Sequence, residues 1–353
     1  MRIGILTFID TINYGALFQA YALETVLQQM GHEVFLINYQ NQTIIEREKG
    51  ESIFSIRGLL RRVVIGNGFK RKEKKFKTFE TSHFKYSTVC SDKTIAEACN
   101  NYDIIITGSD QVWNMKLTGN DLHYFLDFAN DAIGKVSYAP SFGEGIIPES
   151  YKQQIAVLLG NFHALSVREA SGQALVKKIS GLNAEIVLDP TLLLSKDDWR
   201  MLLGQQSFPD HYILVYLPHK KDDCFSFARR LQTKTGYPII YLSISPRIIR
   251  GVKTIYDASP QEWLGWIYHA DYVVTGSFHG TAFSLNFEKQ FFYESLKKGG
   301  RVDNLVSLTG AENRNILTAD VNNEIDYAVV GPKLEQARSA SLAWLGNAVK
   351  CKK

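Results

Sequence analysis

Residues 271–287 read DYVVTGSFHGTAFSLNF. The apolar run from Asp271 to Thr275 predicts a buried strand, and the residues from about Thr281 to Phe287 predict a helix. Between them lies Gly276-Ser277-Phe278-His279-Gly280, a glycine-bounded turn. The same form occurs earlier, where Tyr102 to Thr107 (YDIIIT) runs into Gly108-Ser109-Asp110. Strands that end in such turns and pass into helices build parallel sheets.

Outward from these stretches the rhythm repeats. Residues 2–8, 33–39, 135–139, 164–167 and 185–188 read as strands before the middle of the chain, and 211–217, 238–242 and 290–293 after it. Helices are expected over Ala16–Met30 with Gly31 as its left-handed stop, over 150–160, from Arg168-Glu169 to about Ile179, and over 223–235. Ser259-Pro260-Gln261-Glu262 reads as a helix start with a capping box and proline in the first turn. A last helix is expected over 332–349. The fold class is therefore α/β, with two Rossmann-like parallel-sheet lobes: residues 1–190, a connector 191–210, and 211–325, followed by a C-terminal helical segment 326–353. A chain of 353 residues has the length for two such cores.

Composition narrows the function classes. The net charge of +4 is too small to imply nucleic acid as a partner. Cys90, Cys99, Cys224 and Cys351 form no CxxC pair, and no histidine spacing suggests a metal, His123, His163 and His219 included. Neither a Walker A sequence nor GxGxxG occurs. No signal-peptide pattern opens the chain and no apolar run reaches the ~20 residues of a membrane span. The expectation is a cytoplasmic protein. Between Arg57 and Lys77, inside an expected helical insertion over 41–86, nine Lys/Arg face one acid, Glu73. This run is either a solvated face or a surface for anionic lipid or a pyrophosphate-linked acceptor.

In open parallel sheets, ligands bind outside the carboxyl ends of strands. There the sequence collects Asn13-Tyr14-Gly15, Ser109-Asp110, Ser141, Arg168, Asp189 and His279. His279 with Ser277 reads as an acid/base beside an anion site at a helix start, or as a cap. Arg168 reads as a clamp for carboxylate or phosphate, or as a structural ion pair. Asp110 reads as a base, or as an N-cap for Gln111-Val112-Trp113.

Together these motifs resemble the polysaccharide pyruvyl transferases. The resemblance is carried by Asn13-Tyr14-Gly15-Ala16 with Gln19-Ala20-Tyr21-Ala22-Leu23, by 108–113 (GSDQVW), 137–143 (SYAPSFG), 166–169 (SVRE), 187–191 (VLDPT) and 276–280 (GSFHG), in that order. It implies a GT-B-like fold, two lobes facing across a cleft, with a C-terminal helix returning to the first lobe. It implies transfer of pyruvate from phosphoenolpyruvate to a sugar as a cyclic ketal, with phosphoenolpyruvate as donor substrate and no further cofactor. The implied catalytic residues are His279, Arg168 and Asp110. The acceptor sugar, free or lipid-linked, is placed at Asn13, Tyr14, Gly15 and Ser141 in the first lobe. The donor is placed at Arg168 and, in the second lobe, at Ser277, Phe278, Gly280, Thr281 and Arg301, and Ser109 adjoins Asp110. On the same scaffold two other readings stand: a glycosyltransferase using a nucleotide sugar, and a non-catalytic sugar- or anion-binding protein.

Overall fold

The structure is a computed structural model. It describes all residues except 10, 50–55, 144, 218–221, 296–299 and 351–353, and it leaves out the side chains of 48–49, 56–67 and 222. His219, Gly299, Cys351 and the basic side chains Arg57, Arg61 and Arg62 therefore lie outside the described residues.

The chain divides into two compact units. Unit 1 comprises 1–51, 81–193 and 337–353, and unit 2 comprises 52–80 and 194–336. Unit 1 is built on β1 (Arg2–Leu6), β2 (Glu33–Leu36), β3 (Ile104–Gly108), β4 (Gly134–Tyr138), β5 (Ala164–Val167) and β6 (Glu185–Ile186). Their order is β2-β1-β3-β4-β5-β6, and every pair is parallel. The central strands are closed to water on both faces: Ile3, Ile5, Ile104, Ile105 and Ile106 are fully buried. This is why they read as continuous apolar runs rather than alternating ones. Unit 2 holds β7 (Ile213–Tyr216), β8 (Ile239–Leu242), β9 (Val252–Ile255), β10 (Tyr272–Thr275) and β11 (Gln290–Tyr293), again all parallel, in the order β11-β10-β7-β8-β9.

Local signals set most helix ends. Asn13 caps the helix Tyr14–Gln29 by accepting from the Gly15 and Ala16 amides at 2.9 and 3.3 Å, so the helix starts two residues before the expected Ala16. Gly31 lies at φ +86°, the left-handed stop anticipated for it. Ser259 and Glu262 close a reciprocal capping box at Pro260–Tyr268, with bonds of 2.6 and 3.0 Å.

Three expectations change. The helix expected from Thr281 begins at Phe278, because Ser277 and not a later residue is its cap. The final helix begins at Tyr327 and contains Pro332. Its residues from Ala337 onward group with unit 1, where Arg338 Nε donates to Leu192 O at 2.7 Å and Trp344 packs on Tyr138. The basic insertion was expected within the first lobe, yet residues 52–80 group with unit 2. The contacts explain the change: Gly68 abuts the Tyr256 ring, Arg71 pairs with Asp257 at 2.8 Å, and Lys75 pairs with Glu262 at 2.8 Å. Strand β9 and the helix Arg301–Thr309 were not foreseen. β9 is a half-exposed edge strand and lacks an unbroken apolar run.

Glu24, in the first helix, is almost wholly buried. Its Oε1 accepts from Gln28 Nε2 and the Lys85 amide, while Oε2 has no hydrogen-bond partner among the described residues. Burial pushes its carboxyl up to about 7. A carboxyl raised on folding binds its proton more tightly in the native state, so stability falls as pH rises from the unfolded value toward 7. Glu24→Gln is expected to raise Tm at pH 8 by about 2–4 °C, the shift that ~1 kcal/mol produces in a domain of this size. At pH 4.5 the gain should vanish. Thermal unfolding of both proteins at the two pH values checks this.

Candidate active site

Each sheet reverses its strand order once, and there a parallel sheet opens a crevice at its carboxyl edge. In unit 1 the reversal lies between β1 and β3. The chain leaves β3 through Gly108, Ser109 and Asp110. Gly108 has φ +148°, and a Cβ there would stand 1.9 Å from Tyr138 O, so no other residue fits. Asp110 at φ +63° and Ala139 at φ +54° are non-glycine residues in the left-handed region. Such backbone costs energy and persists where the surroundings over-determine it. The determinants are visible. Gln19, fully buried in the first helix, accepts from the Ser109 amide at 3.0 Å and donates to Thr7 Oγ1 at 2.8 Å; Thr7 in turn donates to Ser109 O at 3.3 Å. Ser141 N donates to Asp110 O at 2.8 Å.

Behind this loop lies a buried charge cluster. Arg168 Nη1 meets Asp189 Oδ2 at 2.6 Å, and Nη2 and Nε stand 3.7 Å from Asp110 Oδ1 and Glu169 Oε2. Burial acts to lower the Arg168 pKa, but the Asp189, Asp110 and Glu169 carboxylates outweigh it and the net shift is upward. Hydroxyls complete the cluster. Ser109 Oγ reaches Asp189 Oδ2 at 3.2 Å, Thr191 Oγ1 reaches Asp189 Oδ1 at 2.7 Å, and Ser141 Oγ reaches Glu169 Oε1 at 2.6 Å. The side chains of Asp189, Glu169 and Arg168 are at most 2% exposed, whereas that of Asp110 is 10% exposed. Asp110 is thus the acid of this cluster with an edge toward solvent. Its carboxylate makes no capping bond to 111–113; the ion pair with Arg168 fills that place. Of the two readings of Arg168, the geometry is that of the ion pair, and Ser109 and Ser141 are likewise fully buried within the cluster. Asn13 spends its side-chain oxygen on its cap, and Tyr14 and Gly15 are buried in the first turn.

In unit 2 the reversal lies between β7 and β10. Thr275 Oγ1 ties their carboxyl ends by donating to Tyr216 O at 2.7 Å. The helix Phe278–Asn286 leaves β10 at this point and is buried along its whole length. Ser277 caps it, accepting from Gly280 N at 3.3 Å, and Thr281 Oγ1 returns to Ser277 O at 3.1 Å. Gly280 is helical. A Cβ on it would come within 2.3 Å of Thr275 Oγ1, so its role is close packing of helix on strand rather than a turn. His279 therefore stands in the first helical turn, 9% exposed, edge-on to the Phe278 ring. The positive end of the helix dipole is at the same place and favours an anion. Arg301 is half-buried in the first turn of Arg301–Thr309.

Glu294 was missed by sequence reasoning. It follows β11, is buried, donates its amide to Thr275 O at 2.9 Å, and accepts from Cys224 Sγ at 3.4 Å. Its position one residue past an apolar strand was the available signal. Gln19 opens the motif 19–23, but a fully buried glutamine cannot be told from an exposed one by spacing. No group of three or more potential metal ligands occurs among the described residues.

A family model described as polysaccharide pyruvyl transferase matches residues 13–296. A search of curated proteins finds no match. Among solved structures, the chain is similar to S. aureus MnaA with UDP, at 10% identity and TM-score 0.48 over 96% of this chain and 87% of that one. It is similar to the UDP-GlcNAc 2-epimerase of Neisseria meningitidis bound to UDP-GlcNAc, at 8% identity and TM-score 0.47 over 97% and 100%. It is also similar to the E. coli heptosyltransferase WaaC with ADP, at 14% identity and TM-score 0.42 over 96% and 100%.

Proposed function

Since the chain belongs to the polysaccharide pyruvyl transferase family, we propose that it transfers the pyruvyl group of phosphoenolpyruvate to two hydroxyls of one sugar, giving a cyclic ketal and inorganic phosphate. The observation that carries this reading is His279 in the first turn of a buried helix at the switch point of unit 2. A group able to donate and accept a proton near neutral pH is there combined with a helix end suited to an anion.

The chemistry has two steps. In the first, a proton adds to the methylene carbon of the donor while a sugar oxygen bonds to the adjacent carbon and loses its proton. In the second, another sugar hydroxyl bonds to that carbon, the bond to the phosphate oxygen breaks, and phosphate leaves with the released proton. We assign the acid/base role at the donor to His279. The start of Phe278–Asn286, with Ser277, Phe278, Gly280, Thr281 and Arg301, is assigned to the donor's carboxylate and phosphate. Asp110 is assigned as base for the acceptor hydroxyl, because it alone among the acids of its cluster has an exposed edge and Arg168 holds its orientation. Arg168 is thereby a positioning residue. Asn13, Tyr14, Gly15, Ser109 and Ser141 shape the acceptor loops through their caps and buried bonds.

A thermal-shift screen separates the donors, since a ligand that binds the folded chain raises Tm. Phosphoenolpyruvate is expected to protect, and protection by a nucleotide sugar alone would overturn the reading. Phosphate release with candidate sugars then identifies the acceptor, whose mass should grow by pyruvate less water. Asp110→Asn is expected to lower turnover by about 10²–10⁴-fold, the usual contribution of a general base. Protection by phosphoenolpyruvate should survive in this variant, and loss of that protection would instead place Asp110 at the donor.

A further inference from the structure

The loop between β8 and the edge strand β9 has an unusual surface. Ile248 is fully exposed, at 103% of the reference area, and Ile244 is 45% exposed. Arg247 is half-buried, while Arg250 and Lys253 are exposed. None of these three cations makes an ion pair among the described residues. The thirteen residues from Ile244 to Tyr256 contain no acid. The nearest, Asp257, is taken by Arg71 at 2.8 Å. That contact brings the basic helix beside the end of β9, where Gly68 abuts Tyr256 and the next residue, Phe69, is 43% exposed. Apolar tips and unpaired cations thus meet along one edge of unit 2.

We propose that this edge, centred on Ile248, docks on an anionic lipid bilayer. A protein partner would need a groove or a broad apolar face, whereas here single apolar side chains stand out among cations. That pattern suits the bilayer boundary, where apolar tips enter the acyl region and cations reach the phosphates. No helix of the described residues is long and apolar enough to cross a membrane, so the contact is one of surface. The proposal is independent of the chemistry assigned above and extends the membrane reading of the basic run to a segment outside it.

The test is sedimentation of the full chain with vesicles of phosphatidylcholine alone and of phosphatidylcholine mixed with phosphatidylglycerol. Binding is expected only to the mixed vesicles, and it should weaken with salt. Ile248→Asp should reduce binding by roughly 10–100-fold, the equivalent of one apolar side chain left in water. Arg247→Ser and Arg250→Ser should each reduce it by about fivefold. Tm should stay constant in all three variants, since the replaced side chains are not core residues. Absence of binding to the mixed vesicles would overturn the proposal. So would binding unchanged by Ile248→Asp, which would move the contact to the basic run. Equal competition by soluble glycerol phosphate would reduce the edge to a simple anion site, and retention of nucleic acid without vesicle binding would assign it to another class of partner.

Discussion

Arg168→Met should lower the stability of unit 1 by about 3–5 kcal/mol, the cost of leaving buried charge without its partner. The guanidinium faces Asp189, Asp110 and Glu169, with the side chains of Asp189 and Glu169 at 0% and 1% exposure. Removing it leaves three carboxylates around an apolar side chain with little water to solvate them. Thermal unfolding should show a drop in Tm of roughly 6–20 °C, at 2–4 °C per kcal/mol. Arg168→Lys should recover only part of it, because a single ammonium cannot meet three acids set around a planar fork. An unchanged Tm in Arg168→Met would rule out the hub. A clamp on the donor's carboxylate or phosphate would make Arg168→Ala lose much of its donor affinity. With the side chain enclosed, any such loss should follow from displacement of the 108–110 loop, so a lowered Tm should accompany it. A donor dissociation constant altered at constant Tm would restore the clamp.

His279→Ala should abolish phosphate release from phosphoenolpyruvate and acceptor. The expected fall is at least about 10²–10⁴-fold, the usual weight of a positioned acid/base group. The fold should survive, since Ser277, Thr275 and Gly280 hold the helix start through bonds that do not involve the imidazole. Circular dichroism and Tm check the fold, and phosphate release checks the chemistry. Turnover equal to that of the unaltered protein would sink the assigned role. His279→Gln gives a second arm, because it keeps polarity and much of the volume at the site while removing the imidazole's ability to exchange a proton.

Much of this was legible in the residues. Buried parallel strands favour uninterrupted apolar runs, so Ile104–Ile106 and Tyr272–Thr275 were readable as strands, and the residues after them as carboxyl-edge loops. Capping is equally local: Asn13 and Ser259 stand next to the amides they satisfy. Family membership rests on the same short-range patterns. What spacing could not show is which side chains meet across the sheet. Arg168 reaches Asp110 over a separation of 58 residues because β3 and β5 flank β4, and Asp189 over 21 residues because β6 pairs with β5, in the order β3-β4-β5-β6. The choice between a ligand clamp and an ion pair therefore belonged to the tertiary structure. So did the grouping of residues 52–80 with unit 2, which depends on Tyr256, Asp257 and Glu262 lying far along the chain. Local sequence determined where strands end and helices begin, because those rules act over a few residues. Only the folded sheet decided which charges are buried together, because burial is a property of strand order and of neighbours that sequence distance does not measure.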